Sequence, residues 1–401
     1  MTALRRAAAC VALLCAPAHA AAPLPGPVPD YEPVGTVVVH ARVPELAPAL
    51  DRALRGLLGA DYVVDAYDPC GAEPGLQCAR WPKDGRMLWS RDYHPIVSRR
   101  ADGRYELLSY LSPNPNRSAY TERAAARLGS PLQSFAEAYR SPLRKLPLLH
   151  ENGNLIAQGR LLFVSELLID LNRQPPGFFD PTGTGFVRRT SDVTLSMFAE
   201  ALGRRPEDIV VLPEMPAEQS KHVDMFLMAL DADTLMVPQI RAEAILASAA
   251  GQERTVAFQA ASFLDGVASK LQARGLVVER LPMPGPMLVP VYDHPGELQV
   301  VYDSPTNALL LPRPRGPRHV LLPVVRAANR TPAFEALRKG YEKTWADFFR
   351  KRGYTPHLVD TGGLGERAGL IHCVTATLPP VPVQAGRPDV LHHARNGTLH
   401  H

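Results

Sequence analysis

Apolar and polar positions alternate along this chain in a way that predicts short strands separated by helices. Stretches rich in Val, Leu and Ile and bounded by Asp, Gly or Pro are typical of strands or hairpins. They cover residues 35–43, 154–169, 208–213, 225–240, 297–312 and 370–379. Apolar residues at helical spacing predict helices over residues 43–59, 121–140, 194–204, 253–275 and 331–353. This order is that of an α/β chain, and the hairpins indicate mixed sheets.

The last predicted helix carries a continuous apolar stripe. Its members are Phe334, Leu337, Tyr341, Trp345 and Phe348. Such a stripe is typical of core packing. The 40 prolines are spread along the chain, which favours many short elements joined by turns.

The first twenty residues have the pattern of a secretory signal peptide. Two arginines precede an apolar run over residues 7–15, and a small-residue ending reaches Ala20. We expect cleavage after Ala20, a secreted or periplasmic protein, and a single catalytic domain over residues 21–401. No later apolar run reaches the ~18 residues of a spanning helix, so no membrane span is expected.

Charge excludes one class of partner. The formal net charge is +4, with two of the arginines in the predicted signal, and no basic run is present. Nucleic acid is therefore not an expected partner. The oligomeric state is not indicated by the sequence.

The cysteines are unevenly placed. Cys70 and Cys78 close a short loop, and in an oxidising compartment we expect them to form a disulfide. Cys373 is then unpaired near the C-terminus. It is either an inert core residue or a reactive thiol.

Two carboxylates fall at predicted element ends. Asp92 is placed in a strand that stops at Pro95, which puts its carboxylate at an edge. Glu151 opens a turn through Gly153, which can adopt the positive φ that other residues resist. Taken singly, Asp92 could be a surface ion and Glu151 a turn cap.

Two further stretches place histidines near an acid and a thiol. If 222–224 is a strand, His222 and Asp224 share one face and Val223 points into the core. The same rule puts His372 and Cys373 on opposite faces, so His372 is not expected to act as the base for its neighbour. His222 with Asp224 could also be a structural pair.

Together these side chains suit a planar cation. Paired carboxylates match the bidentate geometry of a guanidinium, and its delocalised carbon yields only to a strong nucleophile such as a thiolate. One free thiol, one orientable histidine and three carboxylates describe such a site.

At these residues the chain resembles the guanidino-group-modifying enzymes of the pentein fold, the superfamily of agmatine, arginine and peptidylarginine deiminases. Five motifs carry the resemblance in order along the chain: WSRDYHP at 89–95, ENGN at 151–154, HVD at 222–224, SPTN at 304–307 and IHCVT at 371–375. The resemblance implies a five-bladed ββαβ propeller with the site in its central channel.

The resemblance also implies roles for these residues. Cys373 would attack, His222 would move protons, and Asp92 and Asp224 would grip the guanidinium. Glu151 would hold or orient it near His222, and Asn307 would line the pocket near the thiol. From the same motifs we expect Trp89, Arg91 and Asn154 to border the substrate. Two positions depart from the agmatine deiminase pattern: His94 stands where those enzymes have glycine, and E-N-G-N replaces E-G-G-N.

The predicted reaction hydrolyses a guanidinium to a ureido group and ammonia through a covalent thiouronium on Cys373. Export favours peptidyl-arginine as substrate, with agmatine or another small guanidine as the alternative. An amidinotransferase and an inactive secreted binding protein on the same scaffold are the other hypotheses. No metal or organic cofactor is expected, and no loop with calcium-ligand spacing is visible. The thiolate could be paired with an imidazolium or induced by the substrate.

Overall fold

A computed structural model provides the fold. It describes residues 24–65, 88–113, 130–177, 179, 181, 183–291, 294, 296–326, 330–367 and 369–381. The predicted signal peptide, the predicted Cys70–Cys78 disulfide and residues 121–129 of a predicted helix lie outside the described residues. Within those ranges, no helix is long and apolar enough to cross a bilayer.

Short strands make up the sheets. The strands are β1 (Gly26–Pro27), β2 (Thr36–His40), β3 (Tyr62–Asp65), β4 (Ile96–Arg99), β5 (Tyr105–Leu111), β6 (Leu143–Leu149), β7 (Ile156–Gln158), β8 (Leu161–Ser165), β9 (Ile209–Leu212), β10 (Met228–Ala229), β11 (Thr234–Gln239), β12 (Val277–Pro282), β13 (Met287–Pro290), β14 (Leu298–Val301), β15 (Leu309–Leu311), β16 (Arg318–Val324), β17 (Tyr354–Asp360) and β18 (Ala376–Leu378).

Helices connect many of these strands. They are α1 (Val43–Leu46), α2 (Pro48–Leu58), α3 (Ser90–Tyr93), α4 (Pro131–Tyr139), α5 (Leu167–Arg173), α6 (Ser191–Ala201), α7 (Ala242–Ala247), α8 (Gln252–Ala273) and α9 (Pro332–Lys351). The amphipathic patterns at 43–59, 194–204, 253–275 and 331–353 are confirmed as helices, with a break at Ala47 in the first.

Five sheets share one pairing pattern. In each, a central strand pairs antiparallel with one neighbour and parallel with another that the chain reaches through helices. The triplets are β4-β5-β6, β7-β8-β9, β10-β11-β12, β15-β16-β17 and β18-β2-β3. Parallel neighbours need such crossover connections, and antiparallel neighbours need only a hairpin. The chain is therefore an α/β protein with mixed sheets, as predicted. It contains five ββαβ units, of which four are continuous along the chain and the fifth combines β18 with β2 and β3 from its other end.

Two of the predicted strand segments differ in detail from the structure. Residues 297–312 contain two strands, as predicted, but no hairpin, because β14 pairs with β13 and β15 pairs with β16. Residues 370–379 contain only the short strand β18, and residues 371–374 form a turn. In both cases a polar segment that enters the site interrupts the apolar run.

Helix α9 buries its apolar stripe as predicted. Phe334, Tyr341 and Trp345 are buried, and Leu337 and Phe348 are partly buried against the same core. The indole N–H of Trp345 donates to the carbonyl of Pro282 over 2.6 Å. The stripe thus packs α9 beside β12 of the neighbouring unit, because Pro282 ends that strand.

The two ends of the described chain meet in one sheet. Strand β18 pairs antiparallel with β2, with Leu378 opposite Thr36. Leu378 packs with Val38, Tyr93 and Phe135 in a small core. This contact holds the C-terminal turn that contains Cys373 beside helix α3.

We expect Leu378→Ala to lower the free energy of unfolding by about 2–5 kcal/mol, because it removes a buried leucine and leaves a cavity. Leu358→Ala in strand β17 is the matched control, since Leu358 is 45% exposed. That control should cost about 0.5 kcal/mol or less. Urea unfolding compares the two variants, and equal losses would contradict the packing described here.

Candidate active site

The thiol of Cys373 lies in a polar contact network within the interior. Cys373 is 3% exposed and sits in the turn before β18, not in a strand. The side-chain amide of Asn307 donates to its sulfur over 3.1 Å. The thiol lies 3.7 Å from Oδ2 of Asp224, to which it donates. The sulfur of Cys373 contacts an amide and a carboxylate, whereas an inert core cysteine would contact apolar groups.

The surroundings of Cys373 favour the protonated thiol. Burial raises the pKa of Cys373 well above its ordinary value, and the nearby Asp224 and Asp92 raise it further. The hydrogen bond from Asn307 lowers this pKa, but it is outweighed. A cation beside the sulfur would stabilise the thiolate and so lower the pKa of Cys373.

His222 is held by two carboxylates. Its Nε2 lies 3.1 Å from Oε2 of Glu151 and its Nδ1 lies 3.7 Å from Oδ1 of Asp92. Burial alone would lower the pKa of His222, but Asp92 and Glu151 outweigh it and raise the pKa to about 10. The ring is therefore an imidazolium at neutral pH and can donate a proton.

The local structure around His222 corrects a sequence prediction. Residues Val223–Met225 form a 3-10 helix and His222 is its N-cap residue, so the segment is not a strand. His222 and Asp224 nevertheless reach the same site, and Val223 is buried in the core as predicted. The sequence predicted that alternation along a strand would place the two side chains on one face. A single 3-10 turn brings them together instead.

Gly153 lies where these groups converge. A Cβ atom at Gly153 would lie 2.5 Å from Nδ1 of His222, 3.1 Å from Oδ1 of Asp92 and 3.3 Å from Oδ2 of Asp224. Its φ is not positive, so the prediction of a positive-φ turn is wrong. Glycine is needed here because only a backbone without a side chain can approach so closely.

Asp92 lies on helix α3, not at the edge of a strand. Its carboxylate accepts the backbone N–H of Gly153 over 3.1 Å. Glu151 is the residue before the 3-10 turn Asn152–Asn154, and its side chain is more exposed than those of its partners. Glu151 therefore marks the outer side of the site.

Asp224 is also bound by His372, a contact that the sequence did not predict. Nδ1 of His372 lies 2.7 Å from Oδ2 of Asp224, and Nε2 lies 3.2 Å from Oδ2 of Asp30. The prediction that His372 faces away from Cys373 assumed a strand. In the observed turn both residues contact the same carboxylate.

Three residues that were expected to border the substrate make structural contacts near the site. Nε of Arg91 donates to the carbonyl of His372 over 2.9 Å, and Oδ1 of Asn154 accepts the backbone N–H of Ser165. The ring of Trp89 packs on Gly369, whose Cβ would lie 2.2 Å from it. These contacts give Trp89, Arg91 and Asn154 structural roles, and the expectation that they border substrate stays a prediction.

Sequence reasoning missed Asp30 as well as His372. Asp30 lies in the N-terminal segment before β2 and pairs with Arg91 over 3.3 Å. Its partners are 61 and 342 residues away along the chain. No local periodicity signals such a contact.

Every ββαβ unit contributes to the site from the same place, the link that enters its first strand. The contributing residues are Asp92 before β4, Glu151 before β7, His222 and Asp224 before β10, Asn307 before β15 and Cys373 before β18. Within the described ranges, no three His, Cys, Asp or Glu side chains are placed to hold a metal ion.

Comparisons with known proteins agree with this architecture. The sequence matches no protein-family model and no curated protein. The fold is similar to agmatine deiminase from C. jejuni, with a TM-score of 0.55, 12% identity and coverage of 88% of this chain and 96% of that one. It is also similar to agmatine deiminase from Enterococcus faecalis, with a TM-score of 0.56, 13% identity and coverage of 89% and 96%.

A third structure, from Porphyromonas gingivalis and provisionally assigned as an arginine deiminase, has a TM-score of 0.57, 17% identity and coverage of 89% and 98%. The chain has the fold of the guanidino-group-modifying deiminases. At these identities the deiminase fold is what the likeness establishes, and the chemistry rests on the side chains described above.

We expect Gly153→Ala to lower turnover of the guanidinium substrate proposed below by about 100-fold. A Cβ at this position would displace His222, and a displacement of about 1 Å can lower a rate by about this factor. Gly266→Ala in helix α8 is the matched control, since its Cβ would meet no atom within 4 Å. Full activity of Gly153→Ala would contradict the close approach.

We expect His222→Gln to change stability in a pH-dependent way. A pKa raised to about 10 from ~6.5 in the unfolded chain stabilises the fold fully below ~6.5. This stabilisation is lost as the pH rises through about 10. Urea unfolding from pH ~6 to ~10 should show the difference between wild type and variant shrinking.

His319→Gln is the control for that titration. Burial lowers the pKa of His319, so its contribution to stability does not fall as the pH rises above ~6.5. A difference between wild type and His222→Gln that stays constant across the range would show that His222 is not held as an imidazolium.

Proposed function

We propose that this protein is a deiminase that hydrolyses a guanidinium to a ureido group and ammonia, with Cys373 as nucleophile. The observation that carries the proposal is one connected group of a thiol, an imidazolium and three carboxylates. His222, Asp92 and Asp224 meet at Gly153, Cys373 contacts Asp224, and Glu151 contacts His222. A thiol and a proton donor supply covalent catalysis, and carboxylates supply cation binding.

The charges around the thiol favour a cationic ligand. Four carboxylates face one arginine and two histidines; the carboxylates are those of Asp30, Asp92, Glu151 and Asp224. Oδ1 of Asp224 is buried and has no hydrogen-bond partner among the described residues. An unsatisfied buried carboxylate oxygen is costly, and a guanidinium N–H would satisfy it.

Of the two routes to the thiolate, the surroundings of Cys373 favour activation by the substrate. No hydrogen bond joins His222 to Cys373 in the described part of the chain, and His222 is bound instead to Glu151. The acids that raise the pKa of Cys373 are those that would bind the cation. A bound guanidinium offsets their charge and lowers the pKa of the adjacent thiol.

The reaction then follows in two halves. The Cys373 thiolate adds to the guanidinium carbon, and the imidazolium of His222 gives its proton to the departing nitrogen, so that ammonia leaves and a thiouronium remains. Neutral His222 next takes a proton from water, and the water oxygen adds to the same carbon. Collapse of this adduct breaks the carbon–sulfur bond, the hydroxyl proton passes to the departing sulfur, and the ureido group and the Cys373 thiol remain.

We further propose that the five ββαβ units are the blades of a propeller and that residues 21–401 act as one catalytic domain. Support comes from the equivalent positions of the site residues, each in the link that enters the first strand of its unit. Rotation of a repeated unit about one axis brings equivalent links together at that axis. The site would occupy the centre of the propeller.

Peptidyl-arginine is the first proposed substrate and citrulline its product, because the N-terminal sequence predicts export and an exported enzyme meets proteins. Agmatine or another small guanidine is the second candidate. It is favoured by the burial of the site, since Cys373 is 3% exposed and Asp224 is fully buried. The C. jejuni agmatine deiminase, in a cysteine-to-serine variant, holds its substrate.

We expect the mature protein to release ureido product and ammonia from agmatine, arginine or an internal-arginine peptide, and Cys373→Ala to release neither. Parallel assays of both products with each substrate rank the substrate classes. Amidino transfer to added glycine without ammonia would select an amidinotransferase. Binding of guanidines without turnover by the wild type would select a binding protein and would overturn the deiminase.

A further inference from the structure

A series of ion pairs, buried except for the 20% exposed side chain of Asp30, lies next to Cys373. Arg91 pairs with Asp30 over 3.3 Å, Asp30 pairs with His372 over 3.2 Å, and His372 pairs with Asp224 over 2.7 Å. His372 is 3% exposed and Asp224 is fully buried. The described reaction uses Asp224 but needs none of the other three.

Both ring nitrogens of His372 face carboxylate oxygens. A carboxylate accepts hydrogen bonds, so each nitrogen must carry a proton to bond to its partner. A doubly protonated imidazole has no free lone pair and cannot take the proton of Cys373. His372 is therefore excluded as a general base, and another role must account for its burial.

We propose that His372, held by Asp30, is a positioning residue that orients Asp224 toward the guanidinium. This inference rests on the proposed function of the same site. His372 binds Oδ2 of Asp224, which fixes the carboxylate plane. The other oxygen, Oδ1, is buried and without a hydrogen-bond partner in the described residues, and is left for the substrate.

Asp30 keeps the imidazole charged, and Arg91 keeps Asp30 charged. Burial would lower the pKa of His372, as would Arg91, but Asp30 and Asp224 outweigh both and raise it. Burial would raise the pKa of Asp30, but Arg91 and His372 outweigh it and lower that pKa. These are the charged groups that face His372 among the described residues, so its imidazolium depends on Asp30.

The test compares Asp30→Asn with Glu32→Gln. Both changes neutralise one acid of the same N-terminal segment, and Glu32 pairs with Arg99 and not with His372. Binding of agmatine and of an internal-arginine peptide is measured by calorimetry in a Cys373→Ser background, which prevents turnover.

We expect Asp30→Asn to weaken binding by about 10-fold and Glu32→Gln to leave it unchanged within about twofold. Combining Asp30→Asn with Asp224→Asn should add no further loss beyond Asp224→Asn alone, because Asp30 acts through Asp224. Equal effects of Asp30→Asn and Glu32→Gln, or fully additive losses, would overturn the positioning role.

The protonation of His372 provides a readout that does not depend on substrate. Nitrogen-15 chemical shifts of the imidazole should report a His372 pKa above the ordinary histidine value of ~6.5 in the wild type and in Glu32→Gln, and a lower pKa in Asp30→Asn. A neutral His372 in the wild type would overturn the proposal. A further outcome separates this proposal from the proposed function. If no protein, including the wild type, binds a guanidinium but the His372 pKa is raised in the wild type and lower in Asp30→Asn, the proposed function is wrong while the ion pairs of His372 are confirmed.

Discussion

The close approach of two carboxylates and an imidazole to the position that a Cβ atom of Gly153 would occupy is the constraint on which the site depends. Burying ionised groups is costly unless they are paired. Here His222 is paired with Asp92 and Glu151, and an oxygen of Asp224 is left over. Folding has already removed these acids from water. A cation that pairs with the remaining oxygen of Asp224 therefore binds without a further desolvation cost for the acids.

The same acids act on the thiol that we propose as nucleophile. Without a bound cation, burial and, after it, these acids raise the pKa of Cys373 and favour the neutral thiol. A neutral buried thiol reacts slowly with other electrophiles, since the thiolate is the reactive form. A bound guanidinium would offset part of this negative charge, so the proposed binding and activation are coupled. This coupling suits a thiol that is predicted to work in an oxidising compartment.

The fold brings these groups together by repetition. Five ββαβ units each offer one link in an equivalent position, and every side chain that we propose to take part in the reaction lies in such a link. Strand β18 pairs with β2, which completes the fifth unit from the two ends of the described chain. The N-terminal segment adds Asp30 beside the cysteine turn. The site is therefore non-local throughout, although each contributing segment is short.

Local periodicity predicted much of this molecule, because amphipathic helices such as Gln252–Ala273 and Pro332–Lys351 carry their pattern within a single window. The sequence also predicted which types of side chain take part in the proposed reaction. The backbone around Asp92, His222 and Cys373 was not, since these segments are turns and single helical turns whose hydrogen bonds go to distant partners. The sequence by itself determined the fold class and the chemistry available. Only the tertiary structure decided that His372 and Asp30 join the site and that Arg91 supports it, because long-range ion pairs leave no local pattern.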